Sequence, residues 1–160
     1  MIDPSNLKVG DSIPIFILND QDGNAFNIDS YKGKKVMVIY FYPKDDTPGC
    51  TKEACTFRDA YESFTDLDVK VIGISADDVE SHKKFVEKYK LPFTLLADID
   101  NNVRDQFGVP KSLLGLIPGR VTYVINKNGI ISYIFSSQFN AKKHIEKSLS
   151  IIKEMNNVKA

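Results

Sequence analysis

Cys50 and Cys55 are the only thiols in this chain of 160 residues, and both lie in the thirteen-residue stretch from Pro43 to Cys55. A thiol placed at the start of a helix can act as a nucleophile or a redox centre. Thr47 suits an N-cap and Pro48 suits the first helical position, which makes Gly49 the second and Cys50 the third. A capping box carries a glutamate at that third position, where free N–H groups meet an anion. Here a thiol stands there instead, and the N–H groups and the helix dipole favour its thiolate form. Asp45 and Asp46 would oppose this if they pointed inward, so the thiolate calls for a cation from elsewhere in the chain.

The spacing of the two cysteines carries a second argument. On a regular helix, residues five apart are about 8–9 Å apart at Cα and point in different directions. A disulfide needs Cα atoms roughly 4.4–6.8 Å apart. Cys50 and Cys55 can therefore bond only if the first turns of the helix unwind. Projected at ~100° per residue, Cys50, Ala54, Phe57, Tyr61 and Phe64 share one line, so Cys50 opens the buried stripe and Cys55 is turned away from it. Spacing alone also fits two inert, buried small hydrophobes.

The elements that must position this stretch read as follows. Val36 to Tyr42 is β-branched and aromatic without polar alternation, the pattern of a central strand covered on both faces. Pro43 ends it, and a helix is expected from about Pro48 to Phe64. Before the strand, Ile13, Ile15 and Ile17 predict a short strand, Asn19 to Gly23 a turn, and Asn24 to Ile28 a returning strand. After the helix come a buried strand at Val69–Ser75 and a helix capped by Asp77 and Asp78 that runs to about Lys90. Its inward face would be Val79, His82, Val86 and Tyr89. A strand at Phe93–Ala97 and a short helix from Asn101 to Phe107, ended by Gly108, come next. Val121–Ile125 and Ile130–Phe135 flank the hairpin turn Asn126-Lys127-Asn128-Gly129. A closing helix runs from Ala141 to about Met155 with Ile145, Leu149 and Ile152 inward. Hairpin, then alternating strands and helices, then hairpin and helix is the order of a thioredoxin-like α/β sandwich with an N-terminal β-hairpin. A single domain over residues 1–160 is expected.

Composition narrows the function. Twenty-one basic residues balance twenty-one acidic ones, so no basic face for nucleic acid is visible. The longest apolar run is seven residues, against the ~20 that a membrane helix needs. No signal peptide is visible, which points to the cytoplasm, or to an organelle matrix had a transit peptide been removed. Two cysteines and two histidines are too few for a structural zinc site, and no cofactor is expected. His82 and His144 sit on helices without a partner motif and read as structural residues. Arg58 reads as an anchor of its helix.

At the organising stretch the sequence resembles the peroxiredoxins, specifically the bacterioferritin comigratory protein or peroxiredoxin Q group. The active-site pattern Pro-x-x-x-Thr-x-x-Cys is present as Pro43, Thr47 and Cys50. The longer string from Phe41 to Cys55, the pattern Gly119-Arg120-Val121-Thr122-Tyr123-Val124-Ile125 and the run Phe107-Gly108-Val109-Pro110 extend the match. Asn126 departs from it, where relatives often carry an acidic residue. The resemblance implies a thiol peroxidase. Cys50 would attack peroxide and become a sulfenic acid. Arg120 would supply the missing cation, Thr47 would bond substrate and sulfur, and Pro43 would shield the sulfur. Glu53 would orient the arginine, and Cys55 would resolve Cys50 to an intramolecular disulfide. The implied partners are a peroxide and thioredoxin or a similar dithiol reductant, with no nucleic acid or membrane, and a monomer is implied. Two other readings use the same cysteines: a redox sensor, and a thiol–disulfide relay, which would want Cys-x-x-Cys.

Overall fold

The apolar run beginning at Val36 forms an interior strand of a seven-stranded sheet. The computed structural model describes residues 7–109, 111–112, 117–118, 120–137 and 140–158. In chain order the main elements are β1 (Ile17–Asp20), β2 (Ala25–Asn27), β3 (Val36–Phe41), α1 (Pro48–Asp59), α2 (Tyr61–Asp66), β4 (Val69–Ser75), α3 (Val79–Tyr89) and β5 (Thr94–Ala97). They continue with α4 (Asn102–Phe107), β6 (Lys111–Ser112), β7 (Ile117–Pro118), β8 (Val121–Ile125), β9 (Ile131–Ser136) and α5 (Ala141–Val158). The strands lie in the order β2-β1-β5-β4-β3-β8-β9, and β6 pairs with β7 as a separate two-stranded ribbon. β3 runs parallel to β4 and antiparallel to β8. The N-terminal hairpin joins the edge at β5, with Asn19 opposite Ala97. This mixed sheet with helices on both faces is the thioredoxin-like arrangement.

All six residues of β3 are buried. Its twofold side-chain period divides them between two cores. Val36, Val38 and Tyr40 face the layer holding Cys50, Ala54 and Phe57 of α1, Phe85 of α3, and Ile145 and Ile152 of α5. Met37, Ile39 and Phe41 face the layer holding Ile13, Phe16, and Val103 and Phe107 of α4. The strand that leads into the cysteine loop is therefore gripped on both sides.

Four expectations change. Ile13 to Ile17 is not a strand: Pro14 brings no N–H to a ladder, only Ser12 makes an isolated bridge to Ile130, and β1 begins at Ile17. The residues turned inward there are Ile13 and Phe16, while Ile15 and Ile17 are exposed. The helix expected from Pro48 to Phe64 breaks at Ala60, whose ψ of 3° leaves the helical range. One turn earlier the Thr56 hydroxyl donates to the Lys52 carbonyl at 2.6 Å, a contact that competes with the helix ladder. On α3 the fully buried residues are His82 and Phe85. α5 runs on to Val158. No helix among the described residues is long and apolar enough to cross a membrane.

Candidate active site

β3 hands the chain to a loop that two successive aspartates pin to α3. Asp45 Oδ1 accepts from the Tyr42 hydroxyl at 2.6 Å. Its Oδ2 accepts from the Ser81 hydroxyl at 2.9 Å and lies 2.7 Å from His82 Nδ1. His82 Nε2 in turn donates to the Leu96 carbonyl at 2.9 Å. The backbone N–H of Asp45 donates to Asp77 Oδ2 at 2.8 Å. Asp46, at a φ of 57°, accepts from Lys88 Nζ and from the Tyr89 hydroxyl, both at 2.8 Å. Those two hydrogen bonds hold its carboxyl below the usual carboxylate range. Both acidic side chains thus point to α3 and not to the cysteine. Asp45, Asp77 and His82 have the spacing of a metal-ligand set, but their ligand atoms are engaged by Ser75, Ser81 and each other. The cluster works as a clamp on the loop.

Thr47 takes the extended N-cap conformation and Pro48 opens α1. Its hydroxyl makes no capping bond; it turns back to donate to the Lys44 carbonyl at 2.9 Å. That side chain therefore leaves the N–H groups of the first turn to whatever anion forms at Cys50. Pro43 is half-buried at the head of the loop. Cys50 is buried and Cys55 half-buried, and neither is bonded to the other. With α1 intact over both, the structure is that of the reduced protein. Burial pushes the Cys55 thiol up, against the pull of the Arg58 charge.

Arg120, just before β8, reaches over the start of α1. Its Nη2 donates to Cys50 Sγ at 3.3 Å and its Nη1 to Glu53 Oε1 at 2.5 Å. The cation missing from the thiol's surroundings comes from a residue seventy positions away. Gly49 makes room for it: a Cβ there would lie 3.0 Å from Nη2. Glu53 is fully buried, and burial pushes its carboxyl up to about 7 against the opposing attraction of Arg120.

This constellation is a buried thiol at a helix N-terminus with a guanidinium fixed on its sulfur. It can stabilise a thiolate and the negative charge that builds on the leaving group when the sulfur attacks an oxidant. Comparison with known proteins agrees with that chemistry. The family model for the AhpC/TSA family matches residues 9–134. This chain belongs to that family.

Within it the protein is a peroxiredoxin of the Q group. It is 54% identical over 146 residues to the chloroplastic peroxiredoxin Q of Oryza sativa subsp. japonica, covering 91% of this chain and 67% of the relative. It is 54% identical over 149 residues to that of Arabidopsis thaliana, covering 93% and 68%. The chain thus spans about two thirds of the length of these relatives. Among solved structures, the peroxidoxin BcpB of Mycobacterium tuberculosis superposes with a TM-score of 0.86 at 36% identity, covering 93% of this chain and 98% of that one. A cysteine-to-serine mutant of PrxQ from Xylella fastidiosa gives 0.86 at 27% identity, covering 94% and 98%.

The peroxiredoxin's geometry also holds residues that the sequence motifs did not mark. Arg104 of α4, nearly fully buried, donates to the Tyr42 carbonyl at 2.9 Å and lies 5.5 Å from the Phe41 ring centre. It holds the end of β3 from the face opposite α1. His82 clamps the loop through Asp45, and His144 of α5 lies beside Glu53. Charged or titratable residues at core-facing positions were the available signal, but their partners are far off in sequence. Gly119 and Pro110 lie outside the described residues.

Proposed function

We propose that this peroxiredoxin reduces hydrogen peroxide and alkyl hydroperoxides through Cys50, with Cys55 resolving the product. The observation that carries the reading is the Arg120 guanidinium held between Cys50 Sγ and Glu53. The Cys50 thiolate attacks one peroxide oxygen, the O–O bond breaks, and the other oxygen leaves with the electron pair and takes up a proton as water or alcohol. Cys50 becomes a sulfenic acid. Arg120 lies where charge builds on the leaving oxygen, and a donor so placed is worth roughly 2.7–4 kcal/mol. The Thr47 hydroxyl donates to the Lys44 carbonyl and so offers the peroxide an acceptor lone pair, and Pro43 adds an apolar rim at the mouth of the site.

Cys55 then attacks the Cys50 sulfur, water leaves, and an intramolecular disulfide forms. This requires the first turns of α1 to unwind, because i and i+5 on a helix are out of disulfide range. A thioredoxin-type dithiol returns both cysteines to thiols and is itself oxidised. A bacterioferritin comigratory protein from Xanthomonas campestris, 27% identical to this chain with a TM-score of 0.81, is described for its alkyl peroxide reduction activity, which supports the substrate class. Both cysteines in one chain support a monomer. The chloroplastic relatives support an organelle matrix over the cytoplasm.

Peroxide consumption by purified wild type, Cys50→Ser and Cys55→Ser tests the reading. Cys50→Ser should consume none. Cys55→Ser should consume one equivalent and then fail to cycle with thioredoxin. Unchanged turnover in Cys50→Ser would overturn the assignment.

A further inference from the structure

The Arg120–Glu53 pair leaves one buried oxygen unanswered. Glu53 Oε1 takes the guanidinium, but Oε2 has no hydrogen-bond partner among the described residues. It faces His144 Nδ1 on α5 at 3.6 Å.

The protons on that ring follow from its neighbours. His144 Nε2 lies 2.8 Å from the Ser137 carbonyl oxygen, which can only accept, so Nε2 carries a proton. Burial pushes the imidazole down to about 4; the Ser137 bond resists the fall and the Arg120 charge adds to it. The ring is therefore neutral near pH ~7 and its Nδ1 is a bare lone pair. The Thr122 hydroxyl, 2.7 Å away, donates to that lone pair. An ionised Glu53 would set Oε2 against this lone pair with no donor between them, and an unanswered buried carboxylate oxygen is costly. A proton on Oε2 removes the charge and turns the O–H dipole toward Nδ1; at 3.6 Å, with Thr122 on the lone pair, the contact is dipolar and not a hydrogen bond.

We propose that Glu53 aligns Arg120 as a neutral carboxylic acid, and that His144, whose unprotonated Nδ1 offers Oε2 no donor, is the positioning residue that keeps the proton on Oε2. The groups around Glu53 define what this does. They are Cys50 from α1, the buried Tyr40 from β3, Arg120 and Thr122 from β8 and its lead-in, and His144 from α5. With Glu53 neutral, its carboxyl offsets none of the guanidinium charge that faces Cys50 and the incoming peroxide. With Glu53 ionised, the arginine is neutralised from behind and a second negative charge stands beside the thiolate. The catalytic consequence rests on the Cys50 peroxidase reading; the location of the proton does not.

The test is carbon-13 NMR of the glutamate side-chain carboxyls in the full-length reduced protein, from about pH 5 to about pH 9, with Glu53→Gln used to assign the resonance. The Glu53 carboxyl should titrate with a midpoint near 7. In His144→Gln an amide N–H can donate to Oε2, and the midpoint should fall by at least about one unit, a tenfold loss of proton affinity. His144→Asn gives the same test if the longer side chain does not fold. A Glu53 carboxyl that stays ionised down to about pH 5, or a midpoint identical in wild type and both variants, would overturn the proposal. The titration needs no turnover. A protein that titrates as stated but consumes no peroxide would refute the peroxidase reading and leave this one standing.

Discussion

Gly49→Ala separates the charge on the sulfur from the stability of the helix that carries it. The added Cβ would lie 3.0 Å from Arg120 Nη2, the nitrogen that donates to Cys50 Sγ at 3.3 Å. The guanidinium must give way by a few tenths of an ångström. At an effective dielectric of about 20, retreat to about 3.8 Å weakens a unit-charge attraction by roughly 0.7 kcal/mol. Loss of alignment in a hydrogen bond to a charged group removes roughly 1.5 kcal/mol more. Together, about 2 kcal/mol corresponds to roughly a thirtyfold slower reaction. The helix is affected in the opposite direction, since alanine is favoured over glycine in helical conformation by roughly 0.5–1 kcal/mol. The expected outcome is a urea midpoint no lower than wild type together with peroxide consumption about thirtyfold slower. The same firmer helix should slow disulfide formation after the sulfenic acid. A variant of native stability with the wild-type peroxide rate would refute the argument that this one nitrogen tunes the sulfur.

Other perturbations test the supporting structure. Asp45→Asn replaces one of the two carboxylate oxygens that meet Tyr42, Ser81 and His82 with an amide NH2; a buried polar group left mismatched costs about 1–3 kcal/mol. A matching drop in urea stability is expected, and an unchanged midpoint would mean that α3 does not hold the loop. Glu53 and His144 act oppositely on stability with pH. The raised Glu53 favours the fold at low pH, a contribution lost as pH climbs from about 4.5 through about 7. The lowered His144 favours the fold above its unfolded pKa, a contribution lost as pH falls from about 6.5 through about 4. Glu53→Gln removes the first and should leave stability rising by about 3 kcal/mol between pH ~4 and pH ~6.5. A flat profile in urea titrations of that variant would contradict the assigned shifts.

The site was legible where local rules decide and hidden where distant chain segments meet. The β3 run, the Thr47-Pro48 helix start and the inward turn of Cys50 follow from residue types a few positions apart. Arg120 was recoverable only through its motif, because nothing local links it to a thiol seventy residues earlier. Asp45 and Asp46 look like a hazard to the thiolate in the linear chain. They are harmless because α3 offers His82, Ser81, Lys88 and Tyr89 at the right height. His144 looked inert on an amphipathic helix, and its relation to Glu53 exists only once α5 packs beside α1. The misplaced first strand has a different cause. Alternation predicted Ile13, Ile15 and Ile17 on one face, but Pro14 removes the ladder donor and lets Phe16 turn inward.

The central claim is mechanical: the segment that carries both cysteines must come partly undone to complete a cycle. Amide hydrogen exchange across α1, before and after one equivalent of peroxide, measures this directly when paired with mapping of the disulfide. The account predicts protected amides through Ala54 and Phe57 in the reduced protein. After oxidation it predicts a Cys50–Cys55 bond and lost protection confined to the first turns of α1, with Cys55→Ser keeping its protection. Protection that survives oxidation in wild type, with peroxide consumed and no Cys50–Cys55 bond, would contradict it.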